Sequence, residues 1–215
     1  MYRNAIATQL VQELMNELVE IPGIKTLFNW PVFKLELIRD VSDVGISTSF
    51  STSVIVNYRQ GDEAFAFQMM RRRKEKLRLF IIKLSSAVCD LSRMFSAPLT
   101  GCVPKFLSAE PHIQGERPVV IFLAESQYVI KFRDPRPYLV LQYVLGDLES
   151  SIDLKLKPPK IYFNSSFDWY AMPYLESGEP ARDLLDEEVF FYRLGAITAV
   201  AYFLQMTDID SDNLI

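Results

Sequence analysis

The stretch Asp208-Ile209-Asp210-Ser211-Asp212-Asn213 sets an aspartate five positions ahead of an asparagine, directly after an apolar helical pattern. Phosphoryl-transfer loops use that spacing. The carboxylate orients a hydroxyl or takes its proton, and the carboxamide oxygen helps to hold Mg²⁺. Further back, Val129-Ile130-Lys131-Phe132 places a single lysine among strand formers, as a strand carrying a phosphate-binding lysine does.

The segments around these two stretches follow from periodicity. Val119 to Ala124 and Gln127 to Arg133 read as two strands joined at Glu125-Ser126. Pro137 to Glu149 sets Leu141, Val144, Leu145 and Leu148 at helical spacing. Lys160 to Asn164 and Trp169 to Leu175 read as two more strands, and Asp186 to Met206 as a helix whose acidic start suits the positive end of its dipole. Phe190, Tyr192, Tyr202 and Phe203 on that helix read as core. Upstream, residues 5–20 form an amphipathic helix closed by Pro22-Gly23, and a second helix runs from Asn29-Trp30-Pro31 to about Asp43. Ser47 to Tyr58 fits a strand or a loop equally. Asp62 through Phe95 reads as one long helix or two in sequence. The fold expected is α+β: a helical N-terminal region over 1–103, then a kinase-like small lobe and the start of a helical large lobe over 104–215. Trp169 to Glu176 falls where a kinase hinge reads adenine through backbone groups.

Composition narrows the function classes. The chain has 215 residues, is 49% hydrophobic and 23% charged, and carries a net charge of −4, so no overall charge draws it to nucleic acid or to an anionic membrane. Cys89 and Cys102 are too few for a disulfide framework and fit a reducing cytoplasm. His112 is the only histidine, which argues against structural zinc. The most apolar run, Leu194 to Leu204, is too short to cross a bilayer, and no signal peptide is legible. Arg71-Arg72-Arg73-Lys74, with Lys76 and Arg78, reads as a solvated helix face or as a dock for an acidic peptide or for nucleic acid, and the absence of interleaved aromatics argues against nucleic acid.

Four stretches in order resemble the kinase-like dehydratase domain of class II lanthipeptide synthetases, the LanM type. Ala109-Glu110-Pro111-His112-Ile113-Gln114-Gly115 matches a Gly-Asp-x-His-x-x-Gly segment at His112 and Gly115, with Glu110 for Asp. Ile130-Lys131-Phe132-Arg133 matches Tyr-Lys-Pro-Arg at the lysine and arginine. Phe167-Asp168-Trp169 keeps the Trp of Tyr-Gly-Trp, and the loop from Asp208 to Asn213 keeps the Asp and Asn of Asp-x-His-x-x-Glu-Asn, with Asp210 in the histidine's place. The resemblance covers about the second half of the chain. It implies an enzyme that phosphorylates Ser and Thr of a ribosomal precursor peptide with ATP and Mg²⁺ and then eliminates phosphate.

On that resemblance Lys131, Glu110, His112, Gly115 and Arg133 bind the nucleotide, and Asp147 or Glu149 steadies Lys131. Asp208, Asp210 and Lys131 act in catalysis, and Asn213 holds the metal. The family's later metal-binding Asp, its elimination segment and its cyclase domain have no counterpart here. The expectation is therefore a fragment, inactive by itself, with the remaining half of a synthetase as a partner. Two other classes stay open. A non-catalytic pseudokinase-like module would bind peptide or a partner chain, and a small-molecule phosphotransferase would need a further metal-binding Asp.

Overall fold

The computed structural model describes residues 2–42, 63–98, 100–107, 116–123, 125–152, 159–174 and 184–204. The chain divides into two compact units, Met1–Phe132 and Arg133–Ile215. The division falls inside the portion expected to begin at 104, because the first strands belong with the helices.

In the first unit, α1 (Tyr2–Val19) buries Ala7, Leu10, Val11, Leu14 and Leu18 along one stripe. Pro22 and Gly23 stop it. Gly23 adopts φ 84°, a conformation that a side chain would strain, and opens the one-turn helix α2 (Ile24–Leu27). α3 (Trp30–Ser42) carries Pro31 in its first turn, where no backbone donor is needed, and buries Phe33, Leu37 and Val41. α4 (Glu63–Phe95) is one continuous helix, about 50 Å long at the usual rise. Its stripe of Met70, Leu77, Phe80, Ile81, Leu84, Val88 and Leu91 is buried. α4 ends where Ser96 turns left-handed at φ 50° and Ala97 donates its N–H to the Ser92 carbonyl at 3.0 Å.

Three antiparallel strands complete this unit: β1 (Lys105–Phe106), β2 (Val119–Leu123) and β3 (Ser126–Lys131). β1 pairs with β2 through Phe106↔Val119, and β2 with β3 from Val119↔Ile130 to Leu123↔Ser126. The turn uses Glu125 at φ 66°, the sign that a tight hairpin requires. Val119, Val120, Ile121, Tyr128, Val129 and Ile130 are all buried, the continuous apolar reading of strands covered on both faces. Phe106 joins sheet to helices, with its ring 5.7 Å from Phe33 of α3 and 5.9 Å from Phe80 of α4.

In the second unit, α5 (Arg136–Ile152) is capped by Asp134, whose carboxylate accepts the Arg136 N–H at 2.9 Å. The cap was not anticipated from sequence, where Pro137 alone marked the first turn. β4 (Tyr162–Phe163) and β5 (Tyr170–Pro173) pair antiparallel through Phe163↔Tyr170. Their connection bends at Asn164, whose side-chain oxygen accepts the Asp168 N–H at 3.0 Å, and at Phe167, left-handed at φ 58°. α5 holds the strand region by Tyr138 and Gln142, which donate to the Pro159 carbonyl at 3.3 and 2.6 Å. α6 (Leu184–Phe203) closes the described chain. The core reading of its aromatics is corrected here. Phe190, Tyr192, Tyr202 and Phe203 are exposed, while Val200 and Ala201 are buried.

Two charged clusters sit on the inward stripes of the first unit. Asp40, with its side chain only 3% exposed, accepts two hydrogen bonds from Arg73, Nε at 2.9 Å and Nη2 at 2.8 Å, and also pairs with Arg117. Lys74 lies one turn from both Met70 and Leu77 on the buried stripe, and Glu17 and Glu13 meet it at 2.9 and 3.1 Å. Burial works against its ammonium, but hydrogen bonds to those carboxylates outweigh it and hold the group above its ordinary value.

Asp40→Ala is expected to destabilise the protein by about 3–5 kcal/mol, because two buried guanidiniums lose their carboxylate. Arg39→Ala, which removes only an exposed pair with Glu36, should change little. Urea unfolding of the two variants side by side checks this, and equal midpoints would remove Asp40 from its structural role.

Candidate functional site

Lys131 is the last residue of β3 and is half-buried. Two flanking contacts fix its backbone. Ile130 is fully buried and paired with Val119, and the Phe132 ring lies edge-on to Phe80 at 5.1 Å. Period-two alternation therefore sends Lys131 to the face opposite Ile130. A strand end between two anchored apolar residues is a rigid mount for an ammonium.

Arg133, two residues on, opens the second unit and is exposed. It is near enough to Tyr170 for its charge to act on the phenol. Burial raises the Tyr170 phenol and Arg133 partly offsets that. Arg136 is gripped by Asp134 through Nε at 2.8 Å and lies over the Phe167 ring at 5.6 Å. The carboxylate occupies the Arg136 side chain, and hydrogen bonding to that guanidinium lowers the Asp134 carboxyl. Asp147 and Glu149, the sequence's candidates to steady Lys131, lie on α5. Asp147 is exposed and Glu149 half-buried.

The other expected site residues, Glu110, His112, Gly115, Asp208, Asp210 and Asn213, fall outside the described residues, as do Glu176 and Ser47 to Tyr58. Among the described residues no cluster of three His, Cys, Asp or Glu side chains is placed to hold a metal ion. Nor is any helix there long and apolar enough to cross a membrane.

What sequence reasoning missed is the anchoring just before β2. Glu116 pairs with Lys83 of α4, and Arg117 pairs with Asp40 of α3 while its guanidinium lies over the Phe106 ring at 5.0 Å. The residues that follow the expected 109–115 loop are thus tied to two helices. A buried-position aspartate at helical spacing from Phe33 and Leu37 was the available signal. The basic run also resolves differently from a uniformly solvated face. Arg73 and Lys74 turn inward to carboxylates, Arg78 reaches Glu17 at 3.2 Å, and Arg71 and Arg72 are exposed.

The donor chemistry of Lys131 and Arg133 suits phosphate oxygens: one point-charge ammonium and one guanidinium fork, two residues apart. No protein-family profile and no curated protein matches the chain.

The buried acids of the two units set a pH limit. Burial pushes the Cys102 thiol from an ordinary 9.0 up to about 11. Burial, then the charge of Tyr170, pushes the Tyr138 phenol from 10.0 up to about 12. Both groups are held neutral, so the stability they lend is complete below the ordinary value and is lost as pH rises through the raised one. Urea midpoints should fall through pH 9–11 from Cys102 and through pH 10–12 from Tyr138. Cys102→Ala should flatten the lower part of that fall, and an unchanged slope in this variant would contradict the assignment.

Proposed function

We propose that the chain is the small-lobe part of a kinase-like dehydratase of the class II lanthipeptide synthetase type, acting on Ser and Thr of a ribosomal precursor peptide. The observation that carries the reading is the order around one lysine. A buried antiparallel hairpin ends in Lys131, and Arg133, a capped helix, a second antiparallel hairpin and an apolar helix follow. In this reading ATP supplies the phosphoryl group and Mg²⁺ neutralises its charge. Lys131 and Arg133 bind phosphate oxygens, with Glu110, His112 and Gly115 in the preceding loop. Asp208 orients the peptide hydroxyl, with Asp210 beside it, and Asn213 gives an oxygen to the metal. The setting is a cytoplasmic one.

A non-catalytic, pseudokinase-like binding role is the second reading. One departure favours it: Asp210 stands where the family's loop has histidine. A carboxylate there cannot donate a hydrogen bond when ionised.

An acyl-phosphate derivative of ATP transfers its acyl group to a lysine lying against bound phosphates. With Mg²⁺ present, this probe should acylate Lys131, and free ATP should protect it, while exposed Lys105 and Lys160 react the same with or without ATP. Peptide mass spectrometry reads the sites. Lys131 left unmodified, or modified without protection by ATP, would defeat the nucleotide-site reading. Incubated with ATP, Mg²⁺ and a Ser/Thr peptide, a chain of the second reading should transfer no phosphate, since an ionised Asp210 has no hydrogen bond to donate. Transfer under those conditions would decide between the two readings in favour of a competent enzyme.

A partner chain is proposed to enter through α6. Phe190, Phe191, Tyr192, Tyr202 and Phe203 are each more than half exposed, and clustered exposed aromatic side chains favour contact with another chain. The isolated chain is expected to self-associate, measured by light scattering behind size exclusion. A monomer that persists at high concentration and takes up no apolar dye would count against a partner at α6.

A further inference from the structure

The C-terminal two-thirds of α6 has two distinct sides. Val200 and Ala201 are buried, and Arg193, Ile197 and Leu204 are half-buried beside them. The opposite side carries Phe191, Tyr192, Gly195, Ala199, Tyr202 and Phe203. A turn of about 100° per residue sets these six within about 120° of arc. The four aromatic residues are between 60% and 87% exposed, and Gly195 and Ala199 are exposed with them.

This face reads the same in both directions. About Ile197 its order is Phe, Tyr, a small residue, a small residue, Tyr, Phe. The centre makes no polar demand. Thr198, exposed between the small residues, donates its hydroxyl to the Leu194 carbonyl at 2.8 Å and so needs no outside acceptor. Gly195 is a poor helix former at an exposed position inside a helix. Among the described residues a Cβ on it would meet no atom within 4 Å, so packing within the chain does not call for a glycine there. A close approach from outside does.

We infer that a second copy of this chain occupies the face, its α6 antiparallel to the first and related to it by a two-fold axis at the level of Ile197. A two-fold contact sets each patch against its own reverse. Here that places Phe191 against the second copy's Phe203, Tyr192 against its Tyr202, and Gly195 against its Ala199. Crossing helices come closest at one point and diverge from it, so small residues belong at the crossing and large rings on either side. The missing side chain of Gly195 lets the axes approach, and the aromatic pairs fill the widening gap in offset or edge-on contact. From Phe191 to Phe203 the face runs about 18 Å, a little over three turns. A partner of different sequence would impose no such symmetry. The inference names the occupant of the α6 surface and rests on that surface being a contact, not on the phosphotransfer chemistry.

The test uses the full chain. Light scattering behind size exclusion should give twice the chain mass and no larger species, since a two-fold contact closes on itself. Gly195→Leu should weaken the dimer about tenfold or more in sedimentation equilibrium, because the added bulk falls at the crossing. Its helix content by circular dichroism should hold or rise, since leucine is the better helix former. Gly195→Ala, which adds one carbon, should weaken the dimer less. Chains carrying Gly195→Cys and chains carrying Ala199→Cys, mixed and then oxidised, should form a disulfide between position 195 of one copy and position 199 of the other, read by peptide mass spectrometry. Links joining like positions in its place would mean parallel helices and overturn the arrangement. A dimer that Gly195→Leu leaves equally tight would overturn the inference. So would a monomer that still takes up apolar dye, a result that keeps α6 as a contact and gives it another occupant. A monomer without dye uptake removes the contact itself.

Discussion

One carboxylate organises the larger unit. Asp40 sits on the inward stripe of α3, where it would cost several kcal/mol to bury alone. It is tolerated because Arg73 from α4 meets it with both Nε and a terminal Nη2, and Arg117 from the segment before β2 closes the other side. Three stretches distant in sequence must therefore come together before any of them is satisfied. Phe106 shares the constraint. It packs on Phe33 and Phe80 and lies beneath the Arg117 guanidinium, so the apolar and the ionic contacts hold the same strand. The position of the β2–β3 hairpin, and with it the backbone that carries Lys131, follows from that arrangement.

The same rule sorts the basic run on α4. Successive helical residues are 100° apart, so four adjacent cations cannot share a face. Lys74 falls on the buried stripe between Met70 and Leu77 and requires Glu13 and Glu17. Arg73 falls beside it and requires Asp40. Arg71 and Arg72 point outward. What looks in the sequence like a single solvated or single docking patch is two structural cations and two surface ones, and only the second pair is free to meet another molecule.

The second unit rests on smaller contacts. Asp134 both caps α5 and holds the Arg136 side chain, and Tyr138 and Gln142 converge on one carbonyl, Pro159. Its helix α6 differs from every helix of the first unit. It is rich in apolar residues, yet five aromatic side chains, Phe190 to Tyr192 near one end and Tyr202 and Phe203 at the other, are exposed. A helix apolar on all sides ordinarily belongs inside a larger core, and that contrast is why a partner chain at α6 belongs to the proposed reading.

Periodicity alone placed most elements. The stripe of α1 and the helix after Pro137 were legible because each carries apolar residues at helical spacing, and the hairpin from Val119 to Lys131 and the strands around Tyr162 and Tyr170 were legible as short runs of strand formers, both local properties. Whether Glu63–Phe95 was one helix or two was not legible, since nothing in its sequence breaks the repeat and only its continuous packing makes it one. α2 and β1 were missed because a single turn and a two-residue strand have no period to read. What the sequence offers for the proposed site is residue types, a lysine among strand formers at 131 and an arginine at 133. The anchoring of Glu116 and Arg117 was not, because a carboxylate on α3 and an arginine 77 positions later are paired by the tertiary fold. The sequence by itself determined which segments are helix and strand and which side chains could bear phosphate chemistry. The tertiary structure alone decided which charges are consumed in holding the fold and which stay available, because that depends on which faces are desolvated together.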